Sequence, residues 1–180
     1  MNCKVGCRLY WSIITLCVLL INSSCNNDVN DINGPLFELR DSSVTGINFV
    51  NALSFRNDFN IYRYRNYYNG GGVAIGDVNN DGLQDIYLTA NMEPNQLYIN
   101  KGNLQFDEVG MTARVQGERA WSTGVSMVDI NADGLIDIYV CNSGDVKGDN
   151  KKNELFINKG SENGVPQFSE EAEKYGLANE

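Results

Sequence analysis

Two stretches of this chain can be laid over one another without a gap. GVAIGDVNNDGLQDIYL (Gly72–Leu88) matches GVSMVDINADGLIDIYV (Gly124–Val140) at an offset of 52 residues. A second pair follows in the same order, NQLYINKG at Asn95–Gly102 and NELFINKG at Asn153–Gly160, at an offset of 58. A third, QFDEVG at Gln105–Gly110 and QFSEEAEKYG at Gln167–Gly176, completes the unit. Internal repetition constrains a fold more than composition does. One such unit cannot bury its apolar face alone and must stack on the next. The second unit is six residues longer between its first two matched blocks, within Ser143–Lys152. That is expected of a surface loop, where added length costs little entropy.

Each unit reads as four short strands. In the first they are expected at about Val73–Ile75, Asp85–Thr89, Gln96–Asn100 and Leu104–Asp107, from near-alternating aliphatic and aromatic residues. Asn100-Lys101-Gly102-Asn103 and Asn158-Lys159-Gly160 place glycine where a hairpin needs positive φ. Four strands in roughly 50 residues is the arithmetic of a β-propeller blade. The expected fold is therefore all-β, with about two blades over residues 70–122 and 123–180. A propeller closes with about 4–8 blades, so this chain is expected to be part of a larger propeller or to assemble with other chains. Residues 36–69 form a lead-in. Its alternating run Gly46–Val50 predicts a strand, and Tyr62, Tyr64, Tyr67 and Tyr68 read as strand packing in preference to a binding surface.

The chemistry lies in the connection between the first two strands of each unit. In Asp77-Val78-Asn79-Asn80-Asp81-Gly82-Leu83-Gln84-Asp85, oxygen donors stand at alternate positions, so one tight loop can aim Asp77, Asn79 and Asp81 inward. Gly82 permits the sharp turn, Leu83 offers its backbone carbonyl, and Asp85 closes the set with a carboxylate. Asp129, Asn131, Asp133, Gly134, Leu135 and Asp137 repeat every role. Hard oxygen donors with several charges predict Ca²⁺ at two sites; Mg²⁺ is disfavoured because it keeps its water. Asp, Asn and Gly also build plain turns, but two filled copies in matching strand contexts make chance a poor account. An EF-hand needs flanking helices and Glu at loop position 12, where this chain has Leu88 and Val140. The same two residues argue against dockerin-type loops, which continue into a helix.

The N-terminus reads as a targeting segment. Lys4 and Arg8 precede a 13-residue apolar run, Leu9–Ile21, too short to span a membrane comfortably. Asn22-Ser23-Ser24-Cys25 follows and resembles a bacterial lipoprotein signal, with Asn22 where the usual box has Leu. Residues 1–24 are expected to be removed, Cys25 to be lipidated, and residues 25–43 to form a polar tether. The membrane is then met through the lipid alone. The expected location is the bacterial outer membrane, and Asp28 and Asp31 point towards surface exposure. Of five cysteines, Cys3, Cys7 and Cys17 fall in the leader, so Cys25 and Cys141 leave no internal disulfide. A small secreted domain without disulfides needs another staple, and bound metal is one.

The formal net charge of −9 disfavours nucleic acid and suits a protein that collects cations. The chain has no histidine, which excludes His-based general base catalysis and His-ligated zinc. No nucleophile motif such as G-x-S-x-G is present. The obvious carboxylate pairs already have a metal-binding explanation. Glu93, Glu108, Glu118 and Glu154 are scattered and read as solvated surface.

The repeats resemble FG-GAP and VCBS-type repeats, the calcium-loop blades of integrin α-subunit propellers. They are more similar still to the bacterial ASPIC/UnbV and cartilage-acidic-protein-like group. That group carries G-V-A-x-x-D-x-N-x-D-G-x-x-D-I-Y followed by N-x-L-(Y/F)-x-N-x-G and Q-F. Both patterns stand at Gly72–Tyr87 with Asn95–Gly102, and at Gly124–Tyr139 with Asn153–Gly160; Ser126 replaces Ala in the second copy. The resemblance covers about residues 44–178. It implies a calcium-stabilised propeller that binds or adheres and does not catalyse. The expected function is a cell-envelope surface module for a protein or carbohydrate ligand. The alternative is the scaffold of a polysaccharide-acting enzyme whose catalytic residues lie beyond Glu180.

Overall fold

The computed structural model describes residues 36–118, 121–143 and 151–179. The leader and Cys25 lie outside the described residues. Arg40–Glu180 forms one compact unit.

Eight strands make two sheets. In chain order they are β1 (Val73–Gly76), β2 (Asp85–Leu88), β3 (Gln96–Asn100), β4 (Phe106–Glu108), β5 (Ser122–Val128), β6 (Asp137–Asn142), β7 (Glu154–Glu162) and β8 (Val165–Glu170). The first four form one antiparallel meander and the last four another, each in sequence order. Each sheet is one propeller blade. The registers repeat as the sequence does. Ile86 faces Tyr98 in the first sheet and Ile138 faces Phe156 in the second. Asn100 faces Phe106, and Asn158 faces Phe168.

Period-two alternation sends each sheet's side chains to two faces. From the first sheet, Tyr87, Leu97 and Ile99 point into a shared core. Ile138, Val140, Phe156 and Phe168 enter it from the second. Each large side chain buried there contributes about 1.5–3 kcal/mol. Short helical turns follow the outer strands: α2 (Gly110–Ala113) after β4 and α3 (Ala172–Tyr175) after β8, with α1 (Ser42–Thr45) in the lead-in. Ala113 and Val115 are buried between the sheets, and Tyr87 donates its hydroxyl to the Val115 carbonyl. On the far face of the second sheet, Leu155, Ile157 and Ala172 pack with Tyr139, Leu177 and Ala178. The inner strands approach closely: a Cβ at Gly72 would lie 2.6 Å from the Thr123 carbonyl oxygen.

Three expectations about where strands lie need correction. Gly46–Val50 is not a strand, and no strand lies among the described residues before Val73. Gly46 caps α1 in the left-handed region at φ +77°, and the segment beyond is held by side chains instead of a ladder. Asn51 and Asn91 exchange two bonds of 2.8 and 2.9 Å. The tyrosine run is turn, not strand, because Asn60 organises it. Its carbonyl accepts from the amides of Arg63 and Tyr64, and its Oδ1 from that of Tyr62. Tyr64 and Tyr67 do pack, against Phe59 and Trp121, whereas Tyr62 is 89% exposed. In β4 the strand begins at Phe106, not Leu104, because Asn103 and Leu104 both adopt positive φ in the preceding turn.

At the end of the interface where β2 meets β3 and β6 meets β7, a buried amide network crosses between the sheets. Asn91 Nδ2 donates to the carbonyls of Gly70 and Ser122. Asn95 Nδ2 donates to Ser122 Oγ, and Ser122 Oγ donates to Asn142 Oδ1. Asn142 Nδ2 reaches Glu154 Oε2 at 2.9 Å. Glu154, read from sequence as solvated surface, is only 1% exposed. Its other oxygen accepts from the Glu118 amide at 2.9 Å, and its burial is compensated by these donors.

Candidate metal centre

The two Asp-rich loops connect β1 to β2 and β5 to β6, and so lie at the opposite end of the interface from the amide network. Their backbones are superimposable in kind. Asn80 and Ala132 take φ of 59° and 60°, and Gly82 and Gly134 take 88° and 86°. Glycine meets the second requirement without strain. Its counterpart two residues earlier does not: alanine has no side chain to hydrogen-bond locally in that conformation.

Each carboxylate has the same duties in both copies. Asp77 accepts from the amides of Asp81 (3.1 Å) and Gly82 (2.8 Å); Asp129 accepts from Asp133 (3.1 Å) and Gly134 (2.9 Å). Asn79 and Asn131 accept from those same Asp81 and Asp133 amides, and their Nδ2 groups donate to Asp81 and Asp133 at 2.9 and 2.8 Å. Leu83 and Leu135 donate their amides to Asp81 and Asp133 Oδ1. The last carboxylate sits deepest. Asp85 accepts from Val78 and Asn100, Asp137 from Ile130 and Asn158, and both are fully buried.

Burial raises the carboxyl pKa of Asp85 and Asp137 above the ordinary aspartate value. Backbone donors oppose the rise, and the nearby charges of Asp77 with Asp81, and of Asp129 with Asp133, add to it. Among the described residues no ion pair reaches any of these carboxylates. Two like charges beside a buried carboxylate form a site that a cation would relieve.

Among the described residues, no three acidic, histidine or cysteine side chains are drawn together closely enough to hold a metal outright. The oxygens turn instead to the loops' own amides. A carboxylate oxygen that accepts one amide keeps a second lone pair. The donor set (three carboxylates, an amide oxygen and a backbone carbonyl per loop) therefore fits a hard divalent cation after small side-chain rotations. In both loops the asparagine side-chain amide, of Asn79 or Asn131, donates to the Oδ2 of Asp81 or Asp133.

Sequence reasoning assigned Asn100 and Asn158 only to hairpin turns. The first turn forms, with the Gly102 amide donating to Asn100 Oδ1, but the second does not: β7 runs on through Asn158-Lys159-Gly160 with a shift of register, the Gly160 amide donating to Asn158 Oδ1, and the hairpin turns at Asn163-Gly164, both at positive φ. The same two residues also fix the deepest carboxylate of each loop through their own amides. The signal was present, since an asparagine stands at that place in both copies of the second repeated block.

Residues 77–140 match the FG-GAP-like repeat family. The stretch that holds both loops is similar to FG-GAP-like repeats. The matched FG-GAP-like region opens on the first residue of loop 1 and closes within β6, just after loop 2, so it contains both candidate centres. Such repeats are commonly calcium-binding. The chain is also similar to cartilage acidic protein 1. Identity is 35% over 78 residues for the Xenopus tropicalis protein, covering 43% of this chain and 12% of the relative. For the Mus musculus and Homo sapiens proteins it is 33% and 32% over 76 residues, covering 42% of this chain and 12% of each relative. The alignment thus spans about an eighth of those curated relatives.

Proposed function

We propose that this chain is the blade-forming, calcium-binding part of a lipid-anchored cell-envelope protein that binds a ligand and does not catalyse. The observation carrying the reading is the pair of equivalent loops, each with a buried aspartate, two further carboxylates and no cationic partner. Asp77, Asn79, Asp81, Asp85 and the Leu83 carbonyl hold one ion; Asp129, Asn131, Asp133, Asp137 and the Leu135 carbonyl hold the other. Calcium supplies the missing positive charge and fixes the bend between two strands. Its job is structural, and the binding surface for a protein or carbohydrate belongs to the blades it stabilises.

Calorimetric titration of the chelator-treated protein tests the metal. Two calcium ions per chain are expected, with the second-site signal lost in Asp133→Ala and the first in Asp81→Ala. Absence of binding heat in the intact protein would sink the reading. Anchoring is tested separately by metabolic labelling with a fatty acid: label and membrane fractionation should both disappear in Cys25→Ala.

A further inference from the structure

Asn100 and Asn158 are equivalent residues with unequal reach. Each donates its amide to the last loop aspartate at 2.8 Å. Each side-chain Nδ2 donates to the carbonyl just before that aspartate, Gln84 at 2.9 Å and Ile136 at 3.1 Å. Asn158 Nδ2 also crosses to the other sheet and donates to the Val78 carbonyl at 2.8 Å. Asn158 is buried and Asn100 half-buried. Val78, itself buried, is the second residue of loop 1, and its amide donates to Asp85 Oδ2 at 3.0 Å. A continuous buried path therefore runs from the Asp85 carboxylate through the two peptide groups of Val78 and the Asn158 side chain to the Asp137 carboxylate. A second contact, Asn80 Nδ2 to the Gly134 carbonyl, is longer at 3.4 Å and exposed.

We propose that Asn158 is a positioning residue that couples the two loops, so that filling either one raises the affinity of the other for calcium. This rests on the calcium reading above. The physical basis is shared ordering. An ion in loop 2 fixes Asp137 and, with it, Asn158. The Nδ2 group then holds the Val78 peptide in the orientation loop 1 needs, so loop 1 loses less freedom on binding. Linkage makes the effect reciprocal: loop 1 helps loop 2 by the same factor. The bonds are short and buried where Val78 meets Asn158, which makes this path the stronger of the two contacts.

The experiment compares calcium affinities in the intact chain by calorimetric titration. Loop 2 affinity is measured with loop 1 functional and with loop 1 disabled by Asp81→Ala. Disabling loop 1 should weaken loop 2 by about fivefold or more, within the usual range of allosteric coupling. In Asn158→Ala that dependence should vanish, leaving two independent sites. In Asn100→Ala loop 1 should weaken while the dependence persists. A loop 2 affinity indifferent to loop 1 in the otherwise unaltered chain overturns the proposal, as does coupling that survives Asn158→Ala. Should Asn158→Ala fail to fold, amide NMR of the Asp81→Ala chain decides. Calcium added to loop 2 should shift the Val78 and Asn79 resonances, and silent resonances overturn the coupling. Failure of the calcium reading itself is distinct, because then no variant, nor the unaltered chain, binds the ion.

Discussion

The two ends of the blade interface are held by opposite chemistries. At one end, the Asn91–Asn95–Ser122–Asn142–Glu154 network pairs buried polar groups of the two sheets with one another. At the other, two loops crowd carboxylates around Asp85 and Asp137, and among the described residues no cationic side chain pairs with them. Amide and hydroxyl groups gathered on a single carboxylate make a joint whose strength is set once the chain folds. Clustered carboxylates make one whose strength depends on what the solution supplies. The interface is thus unconditional at one end and conditional at the other, although the same two sheets meet at both.

The largest expected effect separates the ends directly. A ligand bound only to the native state stabilises by about 2.7 kcal/mol per site at a hundredfold excess over Kd. Two filled loops would then contribute about 5 kcal/mol, on the order of 10 °C or more in melting temperature for a unit of this size. Calorimetry in calcium and in EDTA measures it, and identical melting in both would remove the conditional end altogether. Next is Asn142→Leu, which strips partners from Ser122, Glu154 and the Lys152 carbonyl. Leaving buried polar groups without partners costs about 2–4 kcal/mol. The loss should be the same with and without calcium; a calcium-dependent loss would show that the two ends are not separable.

A smaller effect compares the loops with each other. Ala132 holds φ +60° where loop 1 has Asn80. Ala132→Asn should relieve about 1 kcal/mol of backbone strain and Asn80→Ala should introduce as much, read as opposite shifts in denaturant midpoint. The smallest concerns neither end. Lys159 and then Lys174, with the Ser169 hydroxyl, hold the Glu171 carboxyl down to about 2, against an ordinary value of 4.5. A depressed folded pKa means stability present above 4.5 and lost as pH falls towards 2. Glu171→Gln should lower the urea midpoint above pH 4.5, and the difference from the unaltered chain should shrink as pH falls towards 2.

What the sequence made legible was what repeats locally. The loops, their glycines and the strands around them follow from alternation and from the two copies agreeing. What it hid depends on partners distant in the chain. Glu154 looks like any surface acid until Asn142 and the Glu118 amide are brought to it. Gly46–Val50 alternates like a strand and Gly46 lies against the Phe106 backbone at the edge of β4, yet no ladder forms there, and Asn51 finds Asn91 forty residues on instead. The reach of Asn158 to Val78 spans 80 residues and belongs to only one of two otherwise equivalent positions. No pattern within a unit distinguishes them, since the difference is which blade stands alongside.

One bond repeats in both sheets with different consequences. Asn95 Oδ1 accepts from the Ala90 amide at 2.9 Å, and Asn153 Oδ1 accepts from the Asn142 amide at 2.9 Å. The first closes a span of five residues and the second a span of eleven. The clasp is unaltered, and the strands on either side keep their register. Lengthening the span from five to eleven costs well under 1 kcal/mol of closure entropy. This connection is therefore a port. A fluorophore, an epitope tag or a longer natural insertion can be spliced there, at the end of the molecule away from the loops, with the architecture behind the clasp left untouched.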